Sequence, residues 1–232
     1  MNTRELLFLL ADLWMVGVGF TFGFKFLKNY RNYLLGFEWL IVATSGTNFF
    51  VYSAVGADES SPMYTAAHFL DAFSRSVGIT LILVMGLMQV THRYKPSKAA
   101  DVGAFALAAA VGLFLQLFAE RLGLGAAIFY VVVNVLTSLF LIYFVRRLWR
   151  IGAKVPAIAT GIATACGFVI AATYDFVTIP GDDAQHTLFY IAALSTWGLQ
   201  MCSYYFGYRA LHNHNKATDA KAEPRTRTAV RA

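Results

Sequence analysis

Seven apolar segments of roughly twenty residues each divide this chain, with short polar loops between them. A helix needs about 20 apolar residues to cross a hydrocarbon core about 30 Å thick. The segments near 5–28, 33–55, 64–91, 101–120, 123–145, 154–175 and 186–210 reach that length. Lipid offers no hydrogen-bond partner to backbone N–H and C=O groups, so each segment is expected to satisfy them internally as a helix. Composition agrees, since 58% of residues are hydrophobic and 14% charged, against about a quarter charged in soluble domains. The expected fold class is all-α: a polytopic membrane protein built as a seven-transmembrane-helix bundle.

The basic residues set the expected orientation. Sixteen of the nineteen Lys and Arg fall on one set of loops and the C-terminal segment, and only Arg4, Arg75 and Arg121 belong to the other side. Cytoplasmic loops carry the Lys/Arg excess, which puts the N-terminus outside and the C-terminus in the cytoplasm. The expected location is the cell membrane, of the bacterial inner-membrane kind. The first segment carries Asp12 and Trp14 and has no small-residue cleavage site after a short apolar core, so it reads as a retained helix. Residues 1–211 form the helical domain, and residues 212–232, polar and without apolar periodicity, read as a disordered basic cytoplasmic tail. Basic residues beside membrane spans face anionic headgroups, so the partner they imply is the lipid bilayer and not nucleic acid. Cys166 and Cys202 lie deep in spans, where a thiol behaves as a small apolar side chain.

Chemistry is sought where polar residues enter the spans, because an ionisable group there is costly and normally faces the bundle interior. His68, Asp71 and Arg75 on the third span are three and four residues apart and share one helical face. Asp12, Asn48, Asn134, Asp175 and His186 stand at comparable depth on other spans, and all of these are expected to converge on one outward-facing cavity. Nine of the thirteen acidic residues, Asp58 and Glu59 among them, lie on that side, which favours cations or protons. Asp71 and Arg75 also have the spacing of an intrahelical i,i+4 ion pair. Glu38 lies near the opposite boundary and reads either as a lock paired with Arg209 or Lys25 or as an inner gate that accepts a proton. Gln200 needs an internal partner, and Gly17, Gly19, Gly23 and Gly161 suggest close helix contacts.

Seven spans in this orientation, with Ala67-His68-Phe69-Leu70-Asp71 on the third, faintly resemble the microbial rhodopsins and their counterion aspartate. The chain has no lysine between Lys154 and Lys216, where that family forms its Schiff base, so no covalent retinal is expected. His68, Asp71, Ser74 and His186 are similar to part of the zinc set of the seven-helix ceramidase-type hydrolases, although the third histidine is missing. His68, Asp71 and His186 are therefore only weak metal candidates, and no cofactor is identified. There is no Gly-rich phosphate loop, C-x-x-C or H-E-x-x-H.

The favoured function is a small integral membrane carrier or channel that binds a cation, proton or small polar solute through Asp12, Asn48, His68, Asp71, Arg75, Asp175 and His186, with Glu38 as inner gate. The alternatives are an intramembrane metal-dependent hydrolase, which is the less favoured, and a seven-helix sensor or assembly protein with a cytoplasmic partner for its basic tail.

Overall fold

Helix starts are written into the chain at the loops. Ser61, extended at φ −72°, accepts a hydrogen bond from the Tyr64 N–H with Pro62 at the first helical position, and Ser97 does the same for Ala100. Both satisfy an otherwise orphaned N–H, and proline costs nothing where no N–H is needed. Asn32 begins another helix by accepting from Leu35 N–H, and it donates from Nδ2 to the Gly86 carbonyl at 2.9 Å, which ties two helices together.

The structure is a computed structural model and describes residues 3–55, 60–183 and 185–229; Asp58 and Glu59 lie outside them. Seven long helices follow in order: α1 Thr3–Tyr30, α2 Tyr33–Val55, α3 Pro62–Thr91, α4 Lys98–Leu117, α5 Leu124–Arg150, α6 Lys154–Thr173 and α7 Thr187–Ala229. No strand occurs among the described residues. Six helices, α1 to α6, are long and apolar enough to cross a membrane. Many large side chains on them face outward, among them Leu10, Leu117, Leu136, Leu139, Val155 and Val169. Such a surface suits a membrane-embedded protein. The first half of α7 carries Tyr204, Tyr205, Tyr208, Gln200 and Ser203 and is less apolar than the other six.

α1 packs against α2 and α7, α7 against α6, α6 against α5, and α5 against α3, while α3 also contacts α2 and α4. Small residues allow the closest approaches. A Cβ on Gly19 would stand 2.8 Å from the Ala43 Cβ, and one on Gly112 would stand 2.8 Å from the Phe73 Cα. Gly17 and Gly161, expected to do likewise, have no such neighbour: nothing lies within 4 Å of the first, and only Val145 Cγ1, at 3.9 Å, near the second.

α3 widens into a π-helical stretch over Ser74–Ile82. Its hydroxyls turn back on the backbone, with Ser76 Oγ donating to the Phe73 carbonyl at 3.1 Å and Thr80 Oγ1 to the Ser76 carbonyl at 2.5 Å. Hydroxyl back-bonding of this kind satisfies carbonyls where the regular ladder is altered. Wide turns inside α-helices often occur at functional sites.

Helix α7 continues as far as Ala229, over residues 212–229 of the segment expected to be disordered. Asn215 Nδ2 donates to the Val90 carbonyl at 2.8 Å, and Asp219 pairs with Arg93 at 2.6 Å. Ala and Lys are strong helix formers, and their spacing within a polar tract hid that propensity. Cys166 and Cys202 are free.

Candidate functional site

One end of the bundle carries Glu5, Glu120, Asp175, Asp182 and Asp183 and is acidic; the other carries Arg31, Arg93, Lys95 and Lys98 and is basic. Below the acidic end, α1, α2, α3 and α7 enclose a cavity of about 150 Å³. Its wall includes Gly46, Phe49, His68, Asp71, Tyr174, Tyr190 and Trp197. A wider space of about 770 Å³, lined in part by Glu5 and Thr187, shares Phe49, Ala67, His68 and Tyr190 with it. The two spaces lie side by side across these residues, the larger forming a vestibule at the acidic end.

The charged floor is built around Arg75, which stands behind the Asp71 and Tyr174 that line the cavity. Its guanidinium pairs with Asp71 one helical turn earlier, at 3.3 Å, and with Asp175 from the far end of α6. It is also sandwiched between two rings, 4.2 Å from the centroid of Tyr130 and 3.7 Å from that of Tyr174. Tyr174 donates from its hydroxyl to Asp71 Oδ1 at 3.4 Å, and its hydroxyl lies 3.3 Å from that of Tyr190. One guanidinium is thus shared between two carboxyl groups.

Two further carboxylates are buried deeper. Asp12 is 0% exposed, and neither of its oxygens has a hydrogen-bond partner. A Cβ on Gly46 would lie 2.9 Å from Asp12 Oδ1, so the carboxyl stands directly behind the Gly46 wall of the cavity. Glu38 is also 0% exposed and unpartnered. It lies eight residues below Gly46 on α2, about 12 Å at 1.5 Å per residue. There it faces the π-helical stretch, because a Cβ on Gly78 would stand 2.8 Å from Glu38 Oε1. The expected lock with Arg209 or Lys25 is absent. Burial at an α2–α3 contact places Glu38 away from the headgroup-level cations that its position in the sequence suggested as partners.

The other expected residues divide. His68 is on the cavity wall and packs on Tyr64, with ring centroids 4.2 Å apart. Asn48 is not on that wall and donates from Nδ2 to the Met63 carbonyl at 2.9 Å. His186 is an exposed loop residue at φ 55°, and its carbonyl accepts the Tyr190 N–H at the start of α7. Among the described residues no three His, Cys, Asp or Glu side chains converge as a metal site requires. His68, Asp71 and His186 therefore do not meet, because His186 is held in the turn before α7. Asn134 donates to the Tyr130 carbonyl, and Gln200 finds its partner in the Tyr204 hydroxyl at 3.1 Å.

Asp182 and Asp183 build the turn into α7. Partial desolvation raises the Asp182 carboxyl, but backbone N–H donors from Leu188, Phe189 and Asp183 outweigh it and hold the group below the ordinary carboxylate range. Hydrogen bonding by the Thr187 backbone N–H holds Asp183 low as well.

Tyr130 and Tyr174 are the residues that sequence reasoning missed. Nothing in their local spacing marks them, because each meets Arg75 across a helix interface. Comparisons of the chain with protein-family models, with characterised proteins and with solved structures find no match.

Proposed function

We propose that this chain is a small membrane carrier or channel that takes a cation into the cavity beneath its acidic end. The observation that carries this reading is the acidic lining of the cavity, with Asp71 on its wall and Asp175 as a second carboxyl on the one guanidinium of Arg75. A buried ion pair adds little to stability relative to apolar residues, so a three-charge cluster of this kind serves binding better than it serves folding.

In this reading α7 is the seventh crossing. Residues 187–211 extend about 37 Å as a helix, and Gln200, Tyr204 and Tyr208 have side-chain partners inside the bundle. Polar side chains satisfied internally are tolerated in a span. The acidic end faces outward and the basic end the cytoplasm, where Arg31, Arg93, Lys95 and Lys98 meet anionic headgroups. Glu38 is the inner gate, a carboxyl between the cavity and the basic end that holds its proton while buried and exchanges it with water when the bundle opens inward. The π-helical stretch beside it is the segment of α3 able to change register.

The test is uptake into vesicles reconstituted with the purified chain. Asp71→Asn is expected to insert and melt like wild type while losing cation uptake. Uptake at the wild-type rate by that variant would overturn the reading.

A further inference from the structure

We infer that the cation taken by this cavity is an organic ammonium ion alkylated at nitrogen rather than a metal ion, a conclusion that rests on the carrier reading above. A metal cation must exchange its water for several oxygen or nitrogen ligands at fixed distances. The cavity does not offer them. Among the described residues no group of three His, Cys, Asp or Glu converges, and Asp71 already accepts from Arg75 and Tyr174. Backbone carbonyls on the surrounding helices are committed to their own ladders.

An alkylated ammonium ion needs no ligand count. It is held by nearby negative charge and by aromatic rings within about 6 Å of its centre. The wall supplies Phe49, Tyr174, Tyr190 and Trp197. One side of Tyr174 is already used in this way by Arg75, whose guanidinium carbon lies 3.7 Å from the ring centroid. Phe49 and Tyr190 lie together, with centroids 5.6 Å apart. Asp71 borders the same space.

Size fits as well. A volume of about 150 Å³ is about five times the ~30 Å³ that one water takes up in the liquid, which accommodates a methylated ammonium head. The rest of such a molecule would extend past Phe49, His68 and Tyr190 into the vestibule of about 770 Å³.

The experiment is calorimetric titration of the full chain in lipid nanodiscs. The probes are (2-hydroxyethyl)trimethylammonium chloride, its neutral carbon isostere 3,3-dimethylbutan-1-ol, and sodium and potassium chloride. The ammonium probe is expected to bind at least tenfold more tightly than the neutral isostere. Trp197→Leu or Tyr190→Leu should weaken it by roughly 5- to 30-fold, the range for loss of a ring contact at a half-desolvated to desolvated site. Tyr190→Phe keeps the ring and should bind as wild type does, which guards against a ring variant that merely folds poorly. Equal binding of the neutral isostere, or no effect of removing the rings, overturns the inference. Asp71-dependent sodium, potassium or proton uptake without ammonium binding also overturns it and leaves the carrier standing. Absence of any Asp71-dependent cation uptake overturns both.

Discussion

Replacing Gly112 with alanine tests whether helix α4 holds the charged floor in place. The added Cβ would lie 2.8 Å from the Phe73 Cα and 2.9 Å from its backbone nitrogen. Ordinary van der Waals contact begins near 3.4 Å, so the helices must separate by about 0.6 Å. Neither atom belongs to a flexible side chain, and the strain passes to the α3 backbone between Asp71 and Arg75. Overpacking of this kind costs about 1–3 kcal/mol, and the gain in helix propensity over glycine returns up to about 1 kcal/mol. With that offset in full the expected net loss is about 0–2 kcal/mol, and about 1–3 kcal/mol relative to an alanine that meets no neighbour, together with weaker cation uptake. Gly103→Ala is the matched control on the same helix, since nothing lies within 4 Å of its added Cβ. Thermal unfolding in mild detergent and vesicle uptake are measured side by side on the two variants. If Gly112→Ala matches Gly103→Ala in both, α4 does not constrain Phe73, and the steric argument fails.

Arg75→Gln leaves Asp71 and Asp175 facing each other without a cation, and breaking a buried pair costs about 3–5 kcal/mol. The two carboxylates are partly exposed, with side chains at 36% and 25%, which reduces the expected loss to about 2 kcal/mol. Adding Asp175→Asn should recover about half of it in chemical unfolding, and no recovery would remove Asp175 from the cluster. Glu38→Gln retains the shape of a side chain whose carboxyl oxygens have no partner, so stability should hold or rise while pH-driven uptake is lost; intact proton coupling would exclude Glu38 as the gate. Asp182 and Asp183 are held below the usual carboxylate range by backbone N–H groups. Their contribution to the start of α7 is complete above that range and disappears as pH falls through their lowered folded values. Amide exchange at Thr187, Leu188 and Phe189 should therefore lose protection on acidification, and Asp182→Asn should weaken that dependence at Leu188 and Phe189.

Much of the site was legible in part. The four-residue spacing of Asp71 and Arg75 foretold their pairing, and His68 one turn earlier does reach the cavity wall. Asn48 and His186 are not on the cavity wall: the Asn48 amide donates to the Met63 carbonyl on α3, and His186 sits in the turn before α7. Glu38 looked like a headgroup-level residue with a cation to meet. Its rotation on α2 instead directs it at Gly78, and no spacing within α2 reports that rotation.

The sequence by itself determined the helices, their approximate ends except that of α7, and the sorting of charge between the two ends of the bundle. These depend on hydrophobic length, cap residues and a fixed rise per residue, all of which are local. Only the tertiary structure decided that Arg75 meets Asp175, 100 residues away, that Tyr130 and Tyr174 enclose its guanidinium, and that Asp12 and Glu38 are left without partners. Those outcomes depend on how each helix is rotated about its axis against its neighbours, and that rotation is set by small-residue contacts such as Gly19 on Ala43 and Gly112 on Phe73.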